Sequence, residues 1–244
     1  PRSLWLDKSK DINWFKTPKQ TVTPTAEGLY QWFADGELNT SFLALDHQIN
    51  MGRGEQSALI YDSPVTNTKQ TMSYNELLND VSLFAGGLSQ LGVQKGDRVL
   101  IYMPMIPQAV VAMLACARVG AVHSVVFGGF AAKELAMRID DAEPKVILTA
   151  SCGIEVDKVL PYKPIVDDAI ELAQSEVQNC VIFQRHEIRA EFNCARDLDW
   201  QTLMEGAKPT KPVTVKSTDP LYILYTSGTT GKPKGVVRDN GGHA

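Results

Sequence analysis

The sequence predicts an α/β fold in which layers of parallel strands are flanked by helices. Short apolar runs alternate with longer segments of helical periodicity, and the connections between them are short. Strands joined by helical crossovers run parallel, and strands buried on both faces are apolar throughout. The apolar runs that we predict as strands are residues 58–61, 98–103, 121–126, 145–150, 180–183 and 221–225.

Helical segments lie between these predicted strands. Ser73 and Glu76 have the spacing of a capping box, and apolar residues then recur at helical spacing up to Gly92. Pro107 favours the start of a second helix, which runs to Gly120. We predict further helices over 131–142 and 167–176, and loops with short elements over 184–212.

The chain divides into two predicted parts. Residues 1–56 carry scattered rather than periodic aromatic side chains, so we predict an N-terminal segment that packs on the body. Residues 57–244 are predicted to be a partial α/β large domain that ends at a phosphate-binding loop.

Composition and charge exclude several classes of protein. The 244 residues are 44% hydrophobic and 21% charged, which is ordinary for a globular protein and excludes a largely disordered chain. A net charge of -4 argues against a nucleic-acid partner, because such binders are usually basic. The apolar runs are too short to span a bilayer, so we expect no membrane partner.

The four cysteines show no spacing typical of a metal site. Cys116 and Cys180 lie inside apolar runs, which predicts buried, reduced thiols. Reduced thiols fit a cytoplasmic location.

The motif with the clearest chemistry is Thr-Ser-Gly-Thr-Thr-Gly-Lys-Pro-Lys-Gly at residues 226–235, directly after a predicted strand. Glycines allow close backbone approach, hydroxyls and backbone N–H groups donate to phosphate oxygens, and lysines offset phosphate charge. The spacing is not that of a Walker A loop, because the next glycine comes three residues after Gly228 and Pro233 follows Lys232. A flexible polar loop is the alternative, and the two lysines around a proline favour phosphate binding.

Three other features have a structural interpretation beside a functional one. Gly128 and Gly129 follow a predicted strand, where they allow either close approach to a ligand or a tight turn into the next helix. His123 lies in an apolar run without a partner at metal spacing, which predicts a core histidine. Asp140 and Asp141 are predicted to form a solvated acidic face rather than a metal site.

Residues 225–235 resemble the signature of the adenylate-forming superfamily, which includes acyl-CoA synthetases, luciferases and peptide-synthetase adenylation domains. Residues 32–49, 96–130 and 138–150 are similar to the short-chain subgroup, the acetyl- and propionyl-CoA synthetases. Residues 220–244 are more similar to the propionyl type.

The resemblance implies an acid–thiol ligase. A short-chain carboxylate, propionate in preference to acetate, would react with ATP to give an acyl-adenylate, with Mg²⁺ offsetting phosphate charge. CoA would then displace AMP. The resemblance assigns the ATP phosphates to Thr226, Ser227, Gly228, Thr229, Thr230 and Lys234.

The resemblance also implies a position for CoA, beside Phe127, Gly128 and Gly129. Acetyl enzymes place two basic residues near the CoA phosphates. Here Glu155 stands at the first of these positions and Lys158 at the second, so only Lys158 is carried over.

In this superfamily the acyl pocket, the adenine-binding motifs and the small C-terminal domain with its catalytic lysine follow the phosphate motif. We therefore expect the chain to be the N-terminal part of a longer enzyme, without that small domain, without a catalytic residue and inactive alone. A non-catalytic nucleotide-binding module is the remaining alternative.

Overall fold

A computed structural model gives the fold and describes residues 2–156, 158–226 and 233–244. The α-helices are α1 (Arg2–Lys8), α2 (Tyr74–Gln90), α3 (Pro107–Val119), α4 (Ala132–Ala142), α5 (Tyr162–Leu172), α6 (Trp200–Glu205) and α7 (Asn240–His243). A 3₁₀ turn spans Ser9–Asp11, and π-helical turns span Phe42–Asp46 and Ile49–Arg53. The strands are β1 (Val22–Pro24), β2 (Tyr30–Trp32), β3 (Glu37–Leu38), β4 (Ser57–Ser63), β5 (Thr68–Ser73), β6 (Arg98–Met103), β7 (Val122–Phe127), β8 (Val146–Ala150), β9 (Cys152–Glu155), β10 (Lys158–Pro161), β11 (Asn179–Phe183), β12 (Asp197–Asp199), β13 (Val215–Lys216), β14 (Pro220–Thr226) and β15 (Lys234–Asp239).

Seven of these strands form a central sheet in the order β12-β11-β8-β6-β7-β14-β15. The pairings from β12 to β14 are parallel, and β15 is antiparallel to β14. Helices cover both faces of the sheet, so the predicted fold class is confirmed. The remaining strands form two-stranded pairs at the periphery: β1 with β2, β3 with β13, β4 with β5, and β9 with β10.

The core lies on both sides of strands β6 and β8. Alternate side chains of β6 point to opposite faces: Ile101 packs with α2 and α3, whereas Leu100 packs with α4 and α5. Both side chains are fully buried, as are Ile147 and Leu148 of β8. This burial explains why the two strands are apolar throughout.

Most predicted elements are confirmed within one or two residues. Helix α2 begins with the predicted capping box, in which Ser73 and Glu76 bond each other's backbone N–H groups. The helix predicted over 167–176 is wrong by five residues at its start, because α5 begins directly after Pro161. The hairpins formed by β4 with β5 and by β14 with β15 were not predicted as such, since β5 and β15 are mostly exposed and lack a continuous apolar pattern.

The N-terminal segment contacts the body through buried polar groups. The amide of Asn39 donates to the carbonyl oxygens of Ala117 and Val213, at 2.9 and 2.8 Å. Arg118 makes a two-pronged ion pair with Asp46, at 2.7 and 3.0 Å. These contacts fix the segment against α3. The boundary at residue 56 stays a prediction.

A substitution in α2 tests how closely this helix packs against the segment after α6. A Cβ at Gly86 would lie 2.0 Å from the carbonyl oxygen of Lys208, where the segment after α6 crosses the helix. We expect Gly86→Ala to lower the free energy of unfolding by about 1–3 kcal/mol, because this overlap outweighs the roughly 1 kcal/mol that alanine gains over glycine in helices. Urea unfolding measures the change. Asn79→Ala, at an exposed position of α2, is the control and should shift stability by less than about 0.5 kcal/mol. A stabilised Gly86→Ala protein would contradict the predicted overlap.

Candidate functional site

The candidate site lies where the parallel strands of the sheet end. Strands β6, β7, β8, β11 and β14 run in the same direction, so their carboxyl ends meet at one edge. In α/β sheets this edge is where ligands bind. His123 and Ser124 of β7 pair with Tyr222 and Ile223 of β14, so the two strands run side by side towards this edge. The glycine pair after β7 and the phosphate motif after β14 therefore follow neighbouring strands.

The glycine pair forms a turn, and the buried Tyr102 side chain contacts this turn. The Tyr102 hydroxyl lies within hydrogen-bond distance of two carbonyl oxygens of the turn, those of Gly128 at 3.0 Å and Phe130 at 2.8 Å. Burial is the main cause of a raised pKa for this hydroxyl, so it stays protonated and donates. Phe127 is 71% exposed at the start of the turn.

Packing explains why this turn contains glycine. Neither Gly128 nor Gly129 has a positive φ, so the backbone conformation alone does not require them. A Cβ at Gly128 would lie 2.3 Å from the hydroxyl oxygen of Tyr162, and a Cβ at Gly153 would lie 2.4 Å from the same oxygen. The glycine turn and β9 thus close on the Tyr162 side chain. This close approach favours the structural interpretation of the glycines and leaves room for a ligand on their outer side.

A cavity of about 600 Å³ opens over the turn. The β4–β5 hairpin forms one wall, and Ile154, Glu155 and Arg185 contribute from the far side. The Tyr162 hydroxyl forms no hydrogen bond with the described residues, although the side chain is 96% buried and lines the cavity. The hydroxyl oxygen is not fully enclosed, so water in the cavity can hydrogen-bond to it.

Two charged residues, Glu155 and Arg185, line the far side of the cavity. Lys158 is exposed and lies opposite Glu155 in the β9–β10 hairpin, and Glu155 is the one of the two that lines the cavity. The cation that does line it is Arg185, which follows the end of β11. Its guanidinium donates to the carbonyl oxygen of Cys152 at 3.2 Å and lies 3.4 Å from a Glu187 oxygen. Sequence reasoning missed Arg185, whose one signal is its place directly after a buried strand.

The phosphate motif connects the two strands of the β14–β15 hairpin. Thr226 ends β14 and lies opposite Lys234, the first residue of β15, and both side chains are exposed. Four further residues of the predicted ATP site lie outside the described residues: Ser227, Gly228, Thr229 and Thr230. The described part of the motif is therefore its stem, formed by Thr226 and residues 233–235.

Two single-residue predictions have different outcomes. His123 is buried in β7, and this burial lowers its pKa to about 4, so the prediction of a core histidine is confirmed. The prediction of a solvated acidic face is confirmed for Asp141, which is exposed, whereas Asp140 is half-buried. Asp140 accepts from the backbone N–H groups of Gln174 and Ser175, at 2.7 and 2.9 Å, and Asp141 accepts from the Tyr225 hydroxyl at 2.7 Å.

Two of the cysteines lie in the core. Cys116 and Cys180 are buried and unpaired, as predicted. Across residues 2–156, 158–226 and 233–244, His, Cys, Asp and Glu side chains nowhere form a group of three or more that could hold a metal ion. No helix in the described part of the chain is both long and apolar enough to cross a membrane.

Comparison with known families matches two family models to the chain. Residues 45–243 match the model described as AMP-binding enzyme, and residues 1–44 match the model described as acetyl-coenzyme A synthetase N-terminus. An uncharacterized protein of Pseudomonas aeruginosa is 58% identical over the whole chain. The mitochondrial acyl-CoA synthetase short-chain family member 3 of Rattus norvegicus is 49% identical, again over the whole chain.

More distant relatives extend the comparison to other acyl groups. The acetyl-coenzyme A synthetase of Pasteurella multocida is 43% identical over 99% of the chain. The solved acetoacetyl-CoA synthetase from Streptomyces lividans superposes with a TM-score of 0.85 over 97% of the chain, at 30% identity. The chain spans 36–39% of the length of these relatives.

The two tyrosines beneath the glycine turn provide a matched pair of variants. We expect Tyr102→Phe to lower the free energy of unfolding by about 1 kcal/mol, because two carbonyl oxygens of the turn lose their buried donor. Tyr162→Phe should cost less, since its hydroxyl has no hydrogen-bond partner among the described residues. Urea unfolding and amide hydrogen exchange at residues 128–131 measure both. Equal effects of the two substitutions would show that the turn does not depend on Tyr102.

Proposed function

The chain belongs to the AMP-binding enzyme family, and on that premise we propose that this protein activates a short-chain carboxylate with ATP and transfers the acyl group to CoA. The observation that carries the proposal is the juxtaposition of two features at one sheet edge. The stem of a Gly-, Ser-, Thr- and Lys-rich motif and a glycine turn under an open cavity follow two neighbouring strands of the sheet. We propose that a triphosphate and a second large ligand bind next to each other at this edge.

The proposed reaction has two steps. A carboxylate oxygen forms a bond to the α-phosphorus of ATP, and the bond to the β-phosphate breaks, so that pyrophosphate leaves. The CoA sulfur then bonds to the acyl carbon, the bond to AMP breaks, and the thiol gives up its proton. Magnesium is proposed to enter as the complex with ATP, where it offsets phosphate charge.

We assign the β- and γ-phosphates of ATP to the motif, through Thr226, Ser227, Gly228, Thr229, Thr230 and Lys234. The exposed ammonium of Lys234 supports this assignment, because no ion pair with the described residues neutralises it. Backbone N–H groups of the glycine-rich segment are the expected additional donors.

We assign the CoA side of the site to the turn formed by Phe127, Gly128 and Gly129. The exposed Phe127 ring offers a stacking surface for a nucleotide base. Lys158 is retained as a second proposed contact for CoA. We add Arg185 to the proposed CoA site, because its positive charge lies in the cavity lining together with the negative charge of Glu155.

Propionate is the proposed acid, with acetate as the alternative. Support comes from residues 220–244, which are more similar to the propionyl type. The relatives act on different acids according to their names, which include acetyl- and acetoacetyl-CoA synthetases, so the acid needs a direct measurement. A cytoplasmic location is likewise a proposal, since a mitochondrial protein is among the relatives.

A pyrophosphate-exchange assay tests the reaction and the acid together. In the protein at its full natural length, we expect carboxylate-dependent exchange of labelled pyrophosphate into ATP without CoA, since adenylation precedes thiol attack. We expect kcat/KM to be higher for propionate than for acetate, butyrate or acetoacetate. A reaction without carboxylate is the blank. Absence of exchange with all four acids would contradict the proposed function, and a preference for acetate would contradict only the choice of acid.

Lys234 provides a test of the ATP assignment. We expect Lys234→Met to raise the KM for ATP about tenfold in the exchange assay, equivalent to about 1.4 kcal/mol, because one charge-assisted contact to phosphate is lost. The KM for the carboxylate should stay unchanged. Lys19→Met, at an exposed lysine of the N-terminal segment, is the matched control. An unchanged KM for ATP in the Lys234 variant would remove this residue from the phosphate site.

A further inference from the structure

Helix α4 connects the two parts of the candidate site. Its first residue, Ala132, follows the glycine turn after β7, and its last turn reaches the stem of the phosphate motif. The contact at that end is the hydrogen bond from the Tyr225 hydroxyl to Asp141, at 2.7 Å. Tyr225 directly precedes Thr226, the first residue of the motif.

Arg138 makes the second contact between α4 and the stem. Its side chain is almost fully buried, and its guanidinium carbon lies 4.5 Å from the ring centre of Phe130 and 5.4 Å from that of Tyr225. Both distances are within the range of cation–π attraction. The carboxylate of Glu134, one helical turn earlier, lies 3.1 Å away and balances the charge. Arg138 thus touches the glycine turn on one side and the phosphate stem on the other.

The same arrangement explains the last glycine of the motif. Gly235 lies opposite Tyr225 in the β14–β15 hairpin. A Cβ there would lie 3.2 Å from the Tyr225 ring and 3.5 Å from an Asp141 oxygen. Glycine at this position leaves space for the Tyr225 ring, whose hydroxyl reaches the carboxylate.

We propose that Asp141 and Arg138 are positioning residues for the stem of the phosphate motif, on which they act through Tyr225. The inference rests on the proposed function in assigning ATP to that motif. The Tyr225 hydroxyl is always available as the donor, because burial and the hydrogen bond to Asp141 both raise its pKa. Since Tyr225 directly precedes Thr226 and lies opposite Gly235, a fixed Tyr225 fixes the stem on the β14 side.

The neighbouring Asp140 has a different part. It accepts hydrogen bonds from the backbone N–H groups of Gln174 and Ser175 after α5, whereas Asp141 accepts from Tyr225. Substitution of Asp140 should therefore weaken the fold without changing the affinity for ATP. This contrast separates positioning from general stability.

The experiment compares variants of the protein at its full natural length in the pyrophosphate-exchange assay. We expect Asp141→Ala and Tyr225→Phe each to raise the KM for ATP about five- to tenfold, with the KM for the carboxylate unchanged. The double variant should be no worse than either single variant, because both remove one interaction. Asp141→Asn keeps an acceptor for the hydroxyl and should restore most of the affinity.

Two controls complete the design. Asp140→Ala should lower the melting temperature and leave the KM for ATP at the wild-type value. Titration of ATP, followed by binding heat rather than turnover, measures the same shifts without any reaction. If Asp141→Ala fails to fold, Tyr225→Phe and Asp141→Asn carry the comparison.

The outcomes separate this inference from the proposed function. Wild-type protein that binds ATP but exchanges pyrophosphate with none of the acids would contradict the proposed function and leave the binding comparison valid. Equal ATP affinity in the wild type and in Tyr225→Phe would overturn the inference. So would additive losses in the double variant, since they would mean that Asp141 and Tyr225 act separately.

Discussion

Burial of β6 and β8 on both faces is the constraint on which the rest of the structure depends. Neither strand can present a polar face to water, so helices must cover both sides of the sheet. Helical crossovers return each strand in the same direction, and the carboxyl ends of five strands consequently meet at one edge. The glycine turn and the phosphate stem are neighbours for this reason, although about a hundred residues separate them in sequence.

Close contacts at that edge, rather than unusual backbone angles, determine where glycine occurs. Gly128 and Gly153 approach the Tyr162 hydroxyl, and Gly235 makes room for the Tyr225 ring. Each pairs a missing side chain with a large aromatic one from another element. An edge built in this way is rigid, because a shift of either partner opens a gap or an overlap.

The sequence predicted the elements whose pattern is local. Strand β6 is found with the predicted bounds, and α2 starts at its capping box, because apolar periodicity and capping depend on neighbouring residues alone. The predicted start of α5 was too late, since no side-chain cap marks its beginning after Pro161. The hydrogen bond of Asp141 was not predicted, because its partner lies 84 residues away and carries no charge. Arg185 was missed because its contact with the Cys152 carbonyl oxygen comes from β9, which only the folded chain brings near the end of β11.

The partners of each cation at this edge indicate whether it can bind a ligand or holds other residues in position. Arg138 is buried, faces Glu134 and lies over two rings, so its charge is spent within the protein. Arg185 is partly committed to the Cys152 carbonyl oxygen and to Glu187. Lys234 is exposed and has no ion pair with the described residues, so its charge is available to a ligand. A cation without an existing partner binds phosphate most favourably, because no ion pair has to be broken first. A cation with contacts on both sides is better suited to fixing the geometry of its neighbours. The acidic net charge of the chain is therefore compatible with an anionic ligand, because the local pairing of each cation, and not the sum, determines where phosphate can bind.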